Sequence, residues 1–177
     1  MIQRKLGYFF GKIKLLIYKL LYPKRISFKK IKCNKTSNFY IDKKSKVGIG
    51  NNANIRKNIS IWSTNGGTIL IGDYAYINDN CTISSRNNIT IGTNFHLGNN
   101  STITDNDHDY KTSLSNFICE EVVIGDNVWC GCNVVILKGV KIGDNCVIAA
   151  GTVVNKDIPN NSMVYQEREL VIKKINK

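Results

Sequence analysis

Aliphatic residues recur at every sixth position over most of the chain. In the second half, six consecutive blocks of six residues begin with Ile, Val or Cys, and glycine often follows. A similar array begins at Ile71, slips by two residues and resumes at Ile91, and a fainter one begins at Ile49. The block-starting positions of the second half are Ile124, Cys130, Ile136, Ile142, Ile148 and Val154.

A period of six fits neither a helix nor an ordinary half-buried strand. A helix needs apolar residues at spacings of three and four, and a half-buried strand needs strict alternation. Short strands that each end in a turn of Gly, Asn or Asp do fit, because these residues tolerate left-handed dihedral angles. The pattern therefore predicts a solenoid whose repeated aliphatic residue points into a narrow core on every face.

A polar segment at residues 104–121 interrupts the hexads. We expect such an insertion to leave a corner of the solenoid as a loop, and loops of this kind commonly carry function. His108 lies near its start, flanked by Asp105, Asp107 and Asp109. A histidine held by carboxylates suits general-base chemistry on an alcohol or amine. The alternative is a solvated loop histidine among turn-forming acids.

The net charge of +12 is concentrated at the N-terminus. Residues 1–32 contain ten Lys or Arg and no acid, whereas residues 58–177 contain nine basic and twelve acidic residues. The body is therefore not basic, which argues against nucleic acid as a partner. We divide the chain into a basic N-terminal arm, residues 1–32, and a solenoid domain with a short C-terminal tail, residues 33–177.

Residues 2–21 predict a basic amphipathic helix that ends before Pro23. Lys5, Lys12 and Lys19 repeat every seven residues on the side opposite the apolar positions, and the lysines within the apolar run argue against a membrane-spanning segment. Two interpretations remain. The helix lies on an anionic membrane surface, which we favour, or it docks as a cap on the open end of the solenoid or on a neighbouring subunit. The apolar positions are Ile2, Leu6, Phe9, Ile13, Leu16, Ile17 and Leu20.

The six cysteines are interpreted as reduced and mostly buried thiols. The N-terminus carries scattered lysines and no small-residue cleavage site, so we expect no signal peptide and a cytoplasmic location. Cys130 and Cys132 form a CxC pair without a second Cys/His pair at zinc-finger spacing.

The hexad array resembles the hexapeptide-repeat acyltransferases, including the galactoside, maltose and polysaccharide O-acetyltransferases. The resemblance covers roughly residues 47–160. It implies an all-β fold, a left-handed parallel β-helix, here with an N-terminal amphipathic helix and a loop near residues 104–121. The handedness is implied by the resemblance and does not follow from the period.

The resemblance also implies a catalytic pair. In these acetyltransferases an Asn is followed thirty residues later by the catalytic His, and Asn78 and His108 stand at that separation. His108 is then the general base and Asn78 the acceptor-side hydrogen-bonding residue, with Asn80 as a weaker rival. One of the neighbouring aspartates is expected to orient the imidazole.

The later coils resemble the part of the family that holds coenzyme A. Small residues at their corners would let the pantetheine arm lie against backbone amides. Trp129 is either a wall of that groove or a packing residue between subunits. Arg168 or Lys173 are candidates for a phosphate contact, although Tyr165 and Arg168 could equally be caps. The implied cofactor-binding residues are Trp129, Gly131, Cys132, Ala149, Ala150, Asn155 and Lys156.

These inferences predict a homotrimeric, acetyl-CoA-dependent O-acetyltransferase that modifies a sugar hydroxyl in a bacterial surface polysaccharide or its lipid-linked precursor. It would be cytoplasmic, with peripheral contact to the inner face of the membrane through residues 2–21. A small-molecule or antibiotic acetyltransferase and a non-enzymatic binding solenoid are the alternatives. Zinc hydratases on the same helix use three histidine ligands, and the chain has only His96 and His108, so no metal is expected.

Overall fold

The computed structural model describes residues 2–167 and 172–173. Short strands follow an N-terminal helix along the chain. In chain order the elements are α1 (Ile2–Leu21), β1 (Ile26–Phe28), β2 (Lys32–Cys33), β3 (Asn38–Ile41), β4 (Lys46–Ile49), β5 (Asn54–Ile55), β6 (Ser60–Ser63), β7 (Thr68–Ile71), β8 (Tyr76–Ile77), β9 (Thr82–Ser85), β10 (Asn88–Ile91), β11 (His96–Leu97), β12 (Thr102–Thr104), β13 (Asn106–Asp109), β14 (Ser113–Cys119), β15 (Val122–Ile124), β16 (Trp129–Cys130), β17 (Val135–Ile136), β18 (Lys141–Ile142), β19 (Val147–Ile148), β20 (Val153–Val154) and β21 (Met163–Val164).

Three parallel sheets form the faces of a left-handed β-helix, which confirms the predicted fold class. Face A contains β1, β4, β7, β10, β15 and β18. Face B contains β2, β5, β8, β11, β16, β19 and β21, and face C contains β3, β6, β9, β12, β17 and β20. The six-residue period aligns equivalent residues of successive coils, so that Ile91 pairs with Ile71 on one side and Ile124 on the other. The predicted loop is an antiparallel hairpin of β13 and β14.

The repeated aliphatic residues fill a core that runs the length of the solenoid. Each lies on the inward side of its strand, and most are almost completely buried. Burying an aliphatic side chain of this size contributes about 1.5–3 kcal/mol, so the stack is the main source of stability. Examples from the three faces are Ile69, Ile89 and Val122, then Ile77, Leu97 and Cys130, then Ile83, Ile103 and Ile136.

The Gly-Asp-Asn sequence that follows many strands of face A is explained by the corner between faces A and B. A β-carbon on Gly92 would lie 2.6 Å from the carbonyl carbon of Gly125 in the next coil. The Asp126 carboxylate accepts a 2.6 Å hydrogen bond from the Thr93 amide of the coil below. Asn127 adopts a φ of 56°, which asparagine tolerates well. Side-chain amides at this position form a ladder through Asn94, Asn127, Asn145 and Asn161.

Helix α1 covers the N-terminal end of the solenoid through its smallest residues. Gly7, Gly11 and Leu15 are buried against the first coil, and the Gly7 carbonyl accepts a 2.9 Å hydrogen bond from the Lys35 amide. Lys14 Nζ donates a 2.9 Å hydrogen bond to the Ser37 carbonyl. The helix therefore caps the end of the solenoid, and β1 already belongs to face A within residues 1–32.

The apolar stripe predicted for α1 is not the docked surface. The side chains of the stripe that the structure describes point away from the solenoid, and Leu20 is 82% exposed. Within the described residues, no helix is both long enough and apolar enough to cross a membrane. The exposed side chains of this face are Leu6, Phe9, Phe10, Ile13, Leu16, Ile17, Leu20 and Leu21, and we call them the outer stripe.

The six cysteines are all free thiols. Cys33, Cys81, Cys130 and Cys146 are buried, whereas Cys119 is half-buried and Cys132 is exposed. Burial raises the pKa of Cys33 and of Cys130 to about 12, so both remain protonated and unreactive at neutral pH. The interpretation of mostly buried, reduced thiols is consistent with this arrangement.

Gly11→Ala tests the docking of α1. In an unattached helix this change would stabilise by about 1 kcal/mol because alanine favours helix formation. In the docked helix the new methyl group would overlap the Cys33 carbonyl oxygen, so we expect a loss of about 1–3 kcal/mol in the free energy of urea unfolding. Gly7→Ala is the matched control, since it meets only the Asn34 side chain and should cost less. A more stable Gly11→Ala protein would contradict the docking.

Candidate active site

The hairpin of β13 and β14 leaves the solenoid where the chain passes from face C to face A, a corner that we call the C/A edge. Its base is held by Asp105, whose fully buried carboxylate accepts hydrogen bonds from Ser85 Oγ at 2.6 Å and from the amides of Arg86 at 2.8 Å and Asn87 at 2.9 Å. These contacts join the hairpin to the coil below it. Asp105 is therefore a structural anchor for the segment that carries His108.

The imidazole of His108 is held in one tautomer by the hairpin itself. Nδ1 lies 2.5 Å from the Leu114 carbonyl oxygen. A carbonyl can only accept a hydrogen bond, so in the neutral ring Nδ1 carries the proton and Nε2 keeps its lone pair. The ring also packs on Phe117, with the two ring centroids 4.4 Å apart. The Arg86 guanidinium lies over the Phe117 ring, 3.6 Å from its centroid. The exposed Nε2 is thus prepared to accept a proton.

The expectation that an aspartate orients the imidazole is wrong. Asp107 accepts a 2.8 Å hydrogen bond from the backbone amide of His108, and Asp109 accepts hydrogen bonds from Lys111 and Thr112 within the turn. Asp105 faces the coil below. Asp107 and Asp109 shape the hairpin backbone, Asp105 anchors its base, and the Leu114 carbonyl orients the ring. A backbone carbonyl leaves no signature in the sequence, which is why the pattern of acids was misleading.

Asn78 lies at the opposite side of face C, where the chain passes from face B to face C, a corner that we call the B/C edge. Its Nδ2 donates a 3.1 Å hydrogen bond to the Leu97 carbonyl, which fixes the side chain. The neighbouring Asp79 is paired with Arg56 at 2.9 Å, and this hydrogen bond holds the pKa of Asp79 below its usual value. Asn78 therefore lies beside a rigid, charged corner.

Asn80, the rival of Asn78, is a turn residue. It has a φ of 62° and belongs to an amide ladder in which it accepts from Asn58 at 3.0 Å and donates to Asn100 at 3.2 Å. Both ends of its amide are engaged in stacking the coils. This leaves Asn78 as the better acceptor-side candidate.

Asn78 and His108 do not meet within one chain. They lie at the two edges that bound face C, whose strand β9 spans four residues. At about 3.3 Å per residue the strand alone separates the edges by roughly 13 Å. No hydrogen bond or ring contact joins the two side chains among the described residues. One chain therefore presents two half-sites.

Most predicted cofactor residues lie on the B/C edge with Asn78. Gly131 and Ala149 follow the strands of face B as Asn78 does, and their amides bond to the next coil at 2.8 Å. Gly98 has no room for a side chain, because a β-carbon there would overlap the backbone of Gly131, and it is buried against that coil. Gly131 and Ala149 are half-buried, and the result is a narrow strip lined by small residues. It also includes Ala150 and the exposed Cys132, and Trp129 stands 59% exposed on face B beside it.

Asn155 and Lys156 lie instead on the C/A edge, the edge of His108, after strand β20. Both are exposed and line an open cavity of about 650 Å³ at the C-terminal end of the solenoid, with Tyr165 on its far side. Lys173 is exposed, and Arg168 lies outside the described residues. The predicted cofactor residues are therefore divided between the same two edges as the catalytic pair.

Among residues 2–167 and 172–173, no three His, Cys, Asp or Glu side chains cluster closely enough to hold a metal ion. Sequence reasoning missed Arg86, Leu114 and Phe117. Phe117 was visible only as an apolar residue in the polar insertion, and Arg86 as a cation near the point where the repeat slips.

The chain is similar to known proteins in both sequence and fold. The family model for the bacterial transferase hexapeptide (six repeats) matches residues 121–156. The chain is 39% identical over 119 residues to galactoside O-acetyltransferase of Escherichia coli, covering 66% of this chain and 59% of that protein. It is 30% identical over 149 residues to the Escherichia coli protein WbbJ, which is named as a lipopolysaccharide biosynthesis O-acetyl transferase; the match covers 77% of this chain and 76% of that protein. A hexapeptide-repeat acetyltransferase of Vibrio cholerae, solved with acetyl coenzyme A, has a TM-score of 0.56 at 28% identity. That match covers 86% of this chain and 70% of the other.

Three stacked parallel sheets with a histidine-bearing hairpin at one corner define a β-helical repeat protein with a candidate transferase site. The match to WbbJ extends over most of both chains, and the chain belongs to the hexapeptide-repeat acyltransferase family. The chain spans less than two thirds of the length of the galactoside O-acetyltransferase that it matches.

The tautomer of His108 can be measured directly. We expect neutral His108 to carry its proton on Nδ1, the reverse of the preference of a free histidine side chain, because Leu114 accepts from that atom. Nitrogen-15 NMR of histidine-labelled protein distinguishes the two forms. His96 is the one other histidine, so the His108→Gln variant assigns both signals. An Nε2-protonated His108 would contradict the geometry.

Proposed function

We propose that the protein is an acetyl-CoA-dependent O-acetyltransferase that modifies a sugar hydroxyl, with His108 as the general base. The observation that carries this proposal is the Nδ1 contact of His108 with the Leu114 carbonyl, which leaves Nε2 as an acceptor at an exposed edge. When bound, acetyl coenzyme A supplies an activated acetyl thioester. Nε2 takes the proton of the acceptor hydroxyl as its oxygen attacks, and the imidazolium then returns a proton to the leaving sulfur.

The small residues of the B/C edge suit a long, thin cofactor arm. Gly131, Ala149 and Ala150 present little or no side chain there, so an extended chain could lie close to the backbone. Trp129 would flank that arm. Lys156, on the other edge, would meet a phosphate as a point charge.

The division of these residues between two edges supports a symmetric oligomer, and we propose a homotrimer. If neighbours place the B/C edge of one subunit beside the C/A edge of the next, Asn78 and His108 meet across each interface. Rotational symmetry repeats this contact around a closed ring, so every subunit contributes both half-sites. A solenoid that acts only as a binding scaffold would not require this arrangement.

The acceptor is proposed to be a sugar in a surface polysaccharide or its precursor. The names of the relatives support this assignment, since one is a galactoside O-acetyltransferase and another is named for lipopolysaccharide biosynthesis. A small-molecule or antibiotic acetyltransferase is the alternative.

Complementation between two inactive variants tests both the catalytic roles and the assembly. We expect His108→Ala to lower kcat by about 10²–10⁴-fold, the range for losing a general base, with little change in the KM for acetyl-CoA. Asn78→Ala should also lose activity. When the two variants are co-expressed with different tags and purified through both tags, about a third of the sites, one in each mixed trimer, regain both residues. Thioester cleavage with an accepted sugar is the measurement.

The control is each variant co-expressed with a differently tagged copy of itself, which should stay inactive. If the mixed protein is no more active than these controls, the shared site is contradicted. Near-normal turnover of His108→Ala alone would contradict the assignment of the base.

We also propose that α1 attaches the protein to an anionic membrane surface. Because Gly7 and Gly11 hold the inner face of the helix, the outer stripe is left uncovered in this chain. Lys5, Lys12 and Lys19 are exposed along one flank of it and not on the opposite side as predicted, and residues 1–32 contain no acid. Lys19 Nζ also donates a 3.3 Å hydrogen bond to the Phe28 carbonyl. Each such lysine contributes about 1 kcal/mol near an anionic leaflet, in addition to burial of the stripe.

Flotation with lipid vesicles tests this attachment. The intact protein should float with vesicles that contain phosphatidylglycerol and not with pure phosphatidylcholine, and binding should weaken at high salt. Leu16→Asp with Leu20→Asp should abolish binding without unfolding the protein, since both side chains are exposed. Leu70→Asp, on face A, is the matched control and should float normally. An intact protein that does not bind the anionic vesicles would overturn the proposal.

A further inference from the structure

A cavity of about 590 Å³ lies between α1 and the first corner of the solenoid. On the helix it is lined by four residues at the spacing i, i+3, i+4 and i+7, which share one face. The opposite wall comes from residues 30–32, which lead into β2, and from the corner of the next coil. We call this cavity the lysine pocket, and it is lined by Lys5, Tyr8, Phe9 and Lys12 of the helix and by Lys30, Ile31, Lys32 and Asn52 of the solenoid.

Four positive charges meet in the lysine pocket without a negative one. No acidic residue occurs in the chain before Asp42, which lies at a different corner, in the turn between β3 and β4. Asp73, at the corresponding corner of the third coil, accepts a 2.7 Å hydrogen bond from the Asn51 amide. Lys14 and Lys19 donate to backbone carbonyls, but among the described residues no ion pair or hydrogen bond holds an ammonium group of the pocket.

The geometry of this corner does not account for its lysines. The corner between faces A and B is Gly-Asn-Asn at residues 50–52 in the second coil and Gly-Asp-Tyr at residues 72–74 in the third, with no cation in either. Lys30 contributes only its backbone to the stacking of the coils, since its carbonyl accepts a 2.6 Å hydrogen bond from the Asn52 amide. Its side chain is therefore available to a ligand.

The lysine pocket opens beside the outer stripe. Phe9 belongs both to the wall of the pocket and to the stripe, and it is 60% exposed. With the stripe on a bilayer, the pocket would face the headgroup layer, where the lipid phosphates lie. The proposed trimer joins the two edges that bound face C, so the corner between faces A and B stays on the outside of the assembly. The pocket is therefore accessible in the trimer as well as in one chain.

We propose that the lysine pocket binds a terminal phosphate or diphosphate group carried by a membrane lipid. The inference rests on the proposed membrane attachment and adds to it a preference for one kind of headgroup. A phosphomonoester carries a charge of about −1.5 to −2 near neutral pH, so it balances more of the four lysines than a phosphodiester lipid with a single charge. Lysine suits such a group as a mobile point charge, and Tyr8 and Asn52 offer a hydroxyl and an amide that can donate to its oxygens.

Flotation with charge-matched vesicles tests this preference. One set contains phosphatidic acid, a phosphomonoester, and the other contains enough phosphatidylglycerol, a phosphodiester, to give the same zeta potential in phosphatidylcholine. At about pH 8, where the phosphomonoester is mostly doubly ionised, we expect the intact protein to bind the phosphatidic acid vesicles about tenfold more tightly. Lys30→Gln with Lys32→Gln should remove this preference.

The matched control is Lys24→Gln with Lys29→Gln. Both side chains are exposed near the same end of the molecule, and neither lines the pocket. This variant loses the same charge, so it should bind both vesicle sets more weakly and keep the tenfold ratio between them. Equal binding of the intact protein to both sets, or an unchanged ratio after Lys30→Gln with Lys32→Gln, would overturn the proposal.

Calorimetry with inorganic pyrophosphate and no vesicles distinguishes a lipid-borne group from a soluble one. We expect pyrophosphate to bind weakly, because it lacks the contribution of the outer stripe. Tight binding of pyrophosphate that requires Lys30 and Lys32, without a preference between the vesicle sets, would assign the pocket to a soluble phosphate and overturn the lipid source.

The same measurements separate this inference from the proposed function. Equal binding to both anionic vesicle sets would refute the pocket and leave the membrane attachment standing. Binding to phosphatidic acid alone would support the pocket and refute a general attachment to anionic membranes, whereas binding to neither set would refute both. Acetyl transfer to a soluble sugar should be unchanged by Lys30→Gln with Lys32→Gln, since neither residue lies on the edges of the proposed catalytic pair.

Discussion

Successive coils of this protein are held so close at their corners that the backbone leaves room for little else. At Gly92 and Gly98 a side chain would overlap a peptide of the neighbouring coil. Asparagine then adopts the left-handed turn, and aspartate satisfies the amide of the coil below. The six-residue repeat therefore reflects the geometry of the corners as well as the packing of the core. The small residues of the B/C edge, which we propose to hold the cofactor, follow from the same constraint.

The solenoid could be predicted from the sequence because its period is set locally, coil by coil. The assignment of Asn78 and His108 rests on the family resemblance, and the fold converts their thirty-residue separation into positions on two different edges. The docked face of α1 was not anticipated, since Gly7 and Gly11 look like weak points of a helix and become contacts only when a second backbone approaches. The Leu114 carbonyl and the stacking of Arg86 on Phe117 depend on the path of a hairpin, which composition does not encode.

The chemistry proposed here is distributed along edges, whereas stability is concentrated in the interior. The inward positions repeat with little variation from coil to coil. Outward positions differ between coils, since Tyr40 and Trp62 stand where Ser84 and Thr104 stand in later coils. The surface chemistry of a face can therefore change without any change to the core.

The order in which the coils are stacked gives the molecule a direction. Helix α1 covers the end that begins with β1, Tyr40 belongs to the coil next to it, and His108 projects several coils further along. With the outer stripe resting on a bilayer, His108 would stand away from the lipid by the height of the coils between the helix and the hairpin. The number of those coils would then set how far from the membrane an acetyl group is added.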